Sequence, residues 1–298
     1  DHLHISQQEF ARNLLAEHNM LDCNPASTPL PANERLLRAD RPAVPDAKRS
    51  HLYQSIVGSL QWLSTWIRPD FFQSSNALGA HNENPGPTHL QAAYRALRYL
   101  KGTLDLGITY LPGLDDPNRL LIFGDSDFAS DTETRRSVYR WVSLLNRGAV
   151  SWRSSQAPRV ATSTSESEYV ASSRASDEAI WLRRTLADIF VPQRTATPLF
   201  CDNRACRMMS ENPVYRERTK HIDIRAHALR ERVRDDIVRV LDCPTHDMLA
   251  DALTKQLPAP SHRRHSRVML GLDKHTAPPP PAILPARTVT RALSPSHA

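Results

Sequence analysis

The stretch LLIFGDSDF, residues 120–128, decides the fold of this chain. Its first four residues have strand character, and they lead into Asp125 and Asp127 with no turn signal before them. A carboxylate at the end of a buried strand is costly unless a cation or a hydrogen-bond network compensates its charge. Considered alone, the pattern also fits two aspartates that cap a turn, which is the commoner role of an isolated Asp.

Similar arrangements recur downstream, and this favours a site over a turn. LFCD is a second apolar run that ends in an acid, Asp202. Between the two runs, the capping box in STSESEYV predicts a helix with Glu168 near its first turn. LADAL places Asp251 within an apolar helical segment. Two acids at strand ends and two on helices converge only in a mixed α/β fold.

The chemistry of such a cluster indicates a metal site. Four converging carboxylates repel one another strongly, so the arrangement makes sense if divalent ions occupy it. Ligand sets made only of oxygen suit Mg²⁺ or Mn²⁺ rather than zinc. The sequence therefore predicts a magnesium or manganese centre at Asp125, Glu168, Asp202 and Asp251.

Five strings in order carry a resemblance to a known family: GDSDFAS, ATSTSESEYVA, LFCDNRA, RTKHIDIRAH and LADALTK. They resemble the ribonuclease H domain of copia-type long-terminal-repeat retrotransposons. Upstream, YQSIVGSLQWLSTWIRPDF and HLQAAYRALRYLKGT are similar to the segment between the polymerase palm and that domain. The resemblance implies an α/β fold, a mixed five-stranded sheet flanked by helices. It divides the chain into a helical thumb or connection region (1–117), a ribonuclease H-like domain (118–272) and a disordered tail rich in Pro, Ala and Arg (273–298).

The resemblance also implies an activity and a role for each acid. Asp125 would bridge two ions of Mg²⁺ or Mn²⁺, Glu168 and Asp202 would hold the first ion, and Asp251 would help the second ion and product release. Two such ions about 4 Å apart support phosphodiester hydrolysis. The substrate would be the RNA strand of an RNA–DNA hybrid, recognised by its 2′-hydroxyls. Glu168 is preferred to Glu166 because the family's E-A-E-Y aligns its second acid with ribonucleases H generally.

Basic residues supply candidate contacts with nucleic acid. Arg95, Arg98 and Lys101 lie three apart on a helix predicted at about 87–101, which is called α4 below, and we call these three residues the α4 stripe. The stripe is either a solvated helix face or a row of phosphate contacts, and the resemblance favours the second interpretation. Lys220 and His221 belong to a family motif before a basic helix, which suggests a substrate contact; a role at the helix start is the alternative for His221.

Two further positions bear on activity. His246, shortly before Asp251, is a candidate for the mobile histidine that ribonucleases H use in product release, although the copia family usually lacks one here. Arg140 stands where the family's K-S-T-S-G-Y stretch has glycine. If that glycine needs a positive φ or a close backbone approach, Arg140 costs about 1 kcal/mol or more. A relic or scaffold that binds nucleic acid without cleaving it therefore remains the alternative function.

Patterns around these motifs predict the other elements. The predicted helices cover about 47–66, 87–101, 165–190, 203–211, 221–235 and 246–256, and further strands cover about 138–145, 149–153, 197–202 and 237–241. An earlier helix has Ser6 as its predicted N-cap, with Glu9 three residues on. The residues expected on the inward side of the long helix are Trp181, Leu182, Leu186 and Ile189.

Composition limits the compartment and the partners. A net charge of +6 and a pI near 9.3 suit a polyanionic partner. Four cysteines without a C-x-x-C pair predict reduced, mostly buried thiols in an intracellular protein. The resemblance implies a location either in a cytoplasmic virus-like particle or in the nucleus. No run approaches the roughly 18 apolar residues of a membrane span, so no membrane partner is expected. The start at Asp1 suggests a fragment or a processed product.

The expected partners are an RNA–DNA hybrid duplex and the upstream polymerase domain of the same polyprotein. The family's paired-aspartate polymerase motif, Y-V-D-D, would lie before residue 1 and has no equivalent in the sequence. The chain is therefore not expected to polymerise DNA.

Overall fold

The computed structural model describes residues 2–32, 35–111, 118–128, 136–158, 160–161, 163–211 and 224–275. Two of the predicted nucleic-acid contacts, Lys220 and His221, lie outside these residues. So does most of the predicted disordered tail, from residue 276 to residue 298.

Four helices form the first part of the fold: α1 (Gln8–Glu17), α2 (Ala47–Trp66), α3 (Phe72–Gly79) and α4 (Pro87–Lys101). The predicted bounds of α2 and α4 are confirmed, and their apolar residues at helical spacing share one buried core. The prediction that Ser6 caps α1 is wrong, because α1 begins at Gln8 with Gln7 as its N-cap. The chain leaves a short strand at Ile5, so Ser6 lies in the connection between strand and helix.

That strand belongs to a small sheet that the sequence did not predict. β1 (Leu3–Ile5) pairs antiparallel with β2 (Ile108–Tyr110). Strands of three residues are too short for an alternating pattern to identify them. The backbone N–H of Thr109 also donates to the carbonyl of Leu270 at 2.9 Å, so this sheet is bonded to a residue more than 150 positions later in the chain.

The main sheet contains β3 (Leu120–Asp127), β4 (Val138–Leu145), β5 (Gly148–Gln156), β6 (Thr197–Cys201) and β7 (Val238–Asp242). Their order is β5-β4-β3-β6-β7. The β3–β4 and β4–β5 pairs are antiparallel, whereas β3–β6 and β6–β7 are parallel, so the predicted mixed five-stranded sheet is confirmed. Because β3 and β6 are parallel neighbours, Asp125 and Asp202 come to the same edge of the sheet.

Helices flank both faces of the sheet: α5 (Thr164–Asp188), α6 (Arg204–Glu211) and α7 (Ile224–Arg234) on one, and a 3₁₀ turn (Leu249–Leu253) with α8 (Ala259–Met269) on the other. Successive side chains of β3 point to opposite faces of the sheet. Ile122 therefore packs in the cluster on the α5 side, and Phe123 packs in the cluster on the α8 side. Gly124 lets α5 approach closely, because a Cβ there would lie 3.0 Å from that of Ala175. In the described part of the chain, no helix is long and apolar enough to cross a bilayer.

The inward side of α5 differs in part from the prediction. Leu182 and Leu186 are buried, but Trp181 and Ile189 are 57% and 60% exposed, so placing these two inward was wrong. Much of the buried side of α5 consists of Ala and Ser residues, which allow close packing on the sheet but carry little hydrophobic signal.

The predicted helix at 246–256 is also wrong. This segment forms two 3₁₀ turns, Thr245–Asp247 and Leu249–Leu253, separated by the extended ψ of Met248. α8, which follows Pro258, was not predicted. Its buried residues include His262 and His265, so an apolar periodicity could not reveal it.

Contacts join the helical part to the sheet. The indole N–H of Trp152 on β5 donates to the carbonyl of Ser64 on α2 at 2.8 Å. His262 Nε2 on α8 lies 3.2 Å from the carbonyl of Asp70. The proposed boundary between residues 117 and 118 stays a prediction.

Candidate active site

Asp125 lies near the carboxyl end of β3 and is almost completely buried. Its direct cross-strand neighbour on β4 is Arg140, whose Nη1 donates to Asp125 Oδ2 at 2.7 Å. Burial raises the pKa of Asp125 to about 7, with Asp251 and Asp202 adding to the rise and Arg140 opposing it. Asp125 is thus a buried acid with both a cation and other acids beside it.

Glu168 comes from the start of α5, where Ser163 Oγ caps the helix by accepting the N–H of Glu166. The Oε1 atom of Glu168 accepts a hydrogen bond from Ser126 Oγ at 2.9 Å. Its Oε2 atom is buried and has no hydrogen-bond partner among the described residues. Burial, together with the charges of Asp125 and other neighbours, raises the pKa of Glu168 to about 9.

Asp202 follows β6 and is half-buried. Its Oδ2 accepts a weak hydrogen bond from Thr245 Oγ1 at 3.4 Å. Burial and the charge of Asp251 raise the pKa of Asp202. One ligand atom each from Glu168, Cys201 and Asp202 lie within 4.8 Å of one another, close enough to surround one cation.

Asp251 reaches the site from the 3₁₀ turn rather than from a regular helix. It is buried, and its Oδ1 accepts from Lys255 Nζ at 2.6 Å. The electrostatic influence of Asp251 on both Asp125 and Asp202 places it in the same cluster. The fold therefore brings the four predicted acids into one cluster; their catalytic roles stay predictions.

Arg140 has no exposed side-chain surface. Besides Asp125, it pairs with Asp127, whose Oδ2 lies 3.1 Å from Arg140 Nη2. Arg140 sits in the regular ladder of β4, and its φ is not positive. The expected backbone strain is therefore absent at this position, and the consequence of Arg140 lies in its charge.

The other predicted site residues lie apart from the acids or have other contacts. The imidazole of His246 is largely exposed and lies 3.4 Å from Asp247, so its role in product release stays a prediction. In the α4 stripe, Arg95 donates to Thr28 Oγ1 and Arg98 to the carbonyl of Asn24. These bonds anchor the connector before α2, and contact with a duplex stays a prediction.

Sequence reasoning assigned no role at the acids to five side chains that the structure places there: Ser126, Arg140, Cys201, Thr245 and Lys255. Ser126 and Cys201 were visible inside the quoted motifs as neighbours of Asp125 and Asp202, and Lys255 was visible as the end of LADALTK. Arg140 was noted as a departure, but its partner depends on the β3–β4 register, which no single motif contains.

The donor set fits a divalent ion in part. Carboxylate oxygens suit Mg²⁺ or Mn²⁺, and the unpartnered Oε2 of Glu168 beside Asp202 is suited to hold one ion. Asp125 and Asp251 are different, because each already has a cationic partner, Arg140 or Lys255. The described residues fit one ion and do not fit a second between those two acids.

The strand order and the acids at the ends of β3 and β6 agree with the ribonuclease H-like fold that the sequence predicts. The retrovirus-related Pol polyprotein from transposon TNT 1-94 of Nicotiana tabacum is 35% identical to this chain over 259 residues, which are 86% of this chain and 19% of that protein. The Pol polyprotein from transposon RE2 of Arabidopsis thaliana is 34% identical over 265 residues, 89% of this chain and 18% of that protein. The chain belongs to the copia-type Pol polyproteins of retrotransposons.

Other comparisons are less informative. No protein-family model matches the chain. A solved structure, the N-terminal ribonuclease H domain of a Mycobacterium tuberculosis protein fused to maltose-binding protein, is 14% identical and covers 50% of this chain and 97% of that one, with a TM-score of 0.32. The chain spans about a fifth of the length of the two plant polyproteins, so their whole activities do not transfer to it directly.

Proposed function

We propose that this chain is the ribonuclease H part of a copia-type Pol polyprotein and hydrolyses the RNA strand of RNA–DNA hybrids with Mg²⁺ or Mn²⁺. The observation that carries the proposal is the convergence of four acids at one sheet edge, one of them with an unpartnered, buried carboxylate oxygen. A protein core does not tolerate such a charge excess unless bound protons or a counter-ion neutralise it. The partner polymerase would be another domain of the polyprotein.

In this proposal the residues divide the work between holding an ion and positioning its ligands. Glu168 and Asp202 would hold a divalent ion, with Cys201 beside them. The Ser126 hydroxyl orients Glu168, and Thr245 orients Asp202. When bound, a divalent ion supplies activation of the attacking water and stabilisation of charge on the phosphate.

Substrate contacts extend the proposal beyond the acids. Recognition of 2′-hydroxyls would restrict cleavage to RNA. The α4 stripe, Lys220 and His221 would contact the duplex backbone, and His246 would assist product release. Phosphate contacts of this kind add affinity without base specificity. The chain is not proposed to polymerise DNA.

The direct test is cleavage of an end-labelled RNA–DNA hybrid with Mg²⁺, with Mn²⁺ and with EDTA. We expect cleavage of the RNA strand only, dependent on the ion, with single-stranded RNA and duplex DNA left intact. Asp202→Asn should abolish cleavage while hybrid binding persists, because it removes a charged ligand but little volume. Equal cleavage in EDTA, or unchanged turnover of Asp202→Asn, would contradict the proposal.

The Arg140–Asp125 pair favours a second candidate function, binding of the hybrid without cleavage. In that case fluorescence anisotropy would show salt-sensitive binding to the labelled hybrid, and no product would form with either ion.

A further inference from the structure

Two cations already lie among the four acids. Arg140 Nη1 is 2.7 Å from Asp125, and Lys255 Nζ is 2.6 Å from Asp251. If all four acids are ionised, their charge is −4, and the two side-chain cations reduce it to −2; Asp127, which Arg140 also contacts, is left out of this count because its side chain is 35% exposed. The remaining charge of −2 corresponds to Glu168 and Asp202, and one divalent ion would balance it.

We propose that Arg140 is a built-in counter-ion that takes the place of one divalent ion, so that this site binds one ion, between Glu168 and Asp202, instead of two. The inference deepens the proposed function, since it concerns the same acids. It also predicts slow hydrolysis, because the second ion of a two-ion site stabilises the leaving oxygen.

The strand register fixes Arg140 in this position. Residues directly opposite in an antiparallel pair have Cβ atoms roughly 5 Å apart on the same face. Asp125 and Arg140 are such a pair. The guanidinium lies between Asp125 and Asp127 and also feels the charge of Asp251. Arg140 therefore faces the acids as a direct result of the fold.

Displacing this cation by an ion from solution would be difficult. A guanidinium remains charged at any ordinary pH. The Arg140 side chain is fully buried, so it would have to leave the sheet to reach water. Mg²⁺ in turn releases its own water reluctantly, so it is a weak competitor for a carboxylate that already has a partner.

The residue at position 140 decides how many ions the acids need. With glycine there, Asp125 would lose its direct cationic partner. A buried charge without a partner is strongly destabilising, so a second ion would then bind beside Asp125. Arg140→Gly should consequently be less stable than the unaltered chain in EDTA and should regain stability when Mn²⁺ is added.

The test counts bound ions by titrating Mn²⁺ and following the electron paramagnetic resonance signal of the free ion. We expect one ion per unaltered chain and two per Arg140→Gly chain. Arg153→Gly is the matched control, because it removes an exposed arginine from β5 of the same sheet, and it should bind one ion. Two ions or none on the unaltered chain, or one on folded Arg140→Gly, would overturn the inference.

A second pair of variants keeps Arg140 in place, in case Arg140→Gly does not fold. Asp202→Asn should lose the single ion, whereas Asp251→Asn should retain it, because Lys255 rather than an ion partners Asp251. A folded Asp251→Asn that binds no ion would overturn the inference.

Cleavage is measured separately, so the two proposals can fail independently. Arg140→Gly should cleave the hybrid on the order of 100-fold faster than the unaltered chain, as expected for recovery of one catalytic ion. Two ions on Arg140→Gly with no cleavage would refute the proposed function and leave the ion count intact. Fast cleavage by an unaltered chain that binds two ions would support the proposed function and refute the inferred ion count.

Discussion

Replacing Glu168 with Gln should make the ion-free protein more stable at neutral and alkaline pH. Burial raises the pKa of Glu168 from 4.5 to about 9, so the folded protein resists ionisation of this carboxyl group. A raised carboxyl pKa means that the folded state binds the proton more tightly than the unfolded state. Stability is then full below pH 4.5 and declines as the pH rises towards the folded pKa.

The size of the expected gain in stability follows from the interval between the unfolded and folded pKa values of Glu168. Each pH unit above the unfolded pKa of 4.5 costs about 1.4 kcal/mol, so the cost at pH 7 is about 3.5 kcal/mol. Asp125 shares part of the same electrostatic strain, so the measured difference should lie at or below this figure. Gln is neutral and of similar volume, and its side-chain oxygen can still accept from Ser126.

The assay is urea unfolding in EDTA at pH 5, 7 and 9. The free energy of unfolding of Glu168→Gln should exceed that of the unaltered chain by little at pH 5 and by a growing amount at pH 7 and 9. Glu166→Gln, two residues earlier on the same helix and less buried, is the control and should follow the unaltered chain. Parallel pH profiles for Glu168→Gln and the unaltered chain would refute the reasoning.

Further predictions concern the other parts of the fold. Replacing the α4 stripe with Gln should lower affinity for hybrid and reduce the slope of log K against log salt by about two to three, measured by anisotropy; an unchanged slope would show a solvated face. Asp70→Asn should cost about 3–5 kcal/mol in urea unfolding, because it leaves the buried Arg68 without its counter-ion, and a loss below about 1 kcal/mol would contradict this. Burial lowers the pKa of His262 and His265, so thermal stability should decline as pH falls below about 6.5, the unfolded value, and His262→Gln should lessen the decline; equal declines would exclude a part for His262.

The sequence was most informative where one short motif combined an element with its functional residue. LLIFGDSD joins a strand to Asp125, and a capped helix start places Glu168, so both the elements and the convergence of the acids could be predicted. The mixed sheet followed from the order of such elements and from the resemblance. The preference for Glu168 over Glu166 came from the resemblance alone, and the deeper burial of Glu168 is consistent with it.

Pairings between residues that are distant along the chain could not be predicted from the sequence, for a physical reason. A strand shows which residues alternate, but the partner of Asp125 depends on the register with β4, which a shift of one residue would change completely. α8 escaped prediction because histidine and serine form much of its buried side, and burial of polar groups depends on partners elsewhere in the chain. Lys255 is visible in the LADALTK motif, but its contact with Asp251 depends on the 3₁₀ turn, which the sequence did not predict.

Two buried arginine–aspartate pairs show why the site at the sheet edge, and not burial of charge by itself, indicates function. Asp70 accepts from Arg68 at 2.9 and 2.7 Å and from the Tyr99 hydroxyl at 2.8 Å, which completes a neutral, closed network between the helices and α8. Asp125 has its own arginine, yet three more acids stand beside it and one buried carboxylate oxygen there has no partner. The first pair needs nothing further to be stable. When the acids around the second pair are ionised, they carry negative charge that the protein's own cations do not balance, and a single divalent ion would neutralise it.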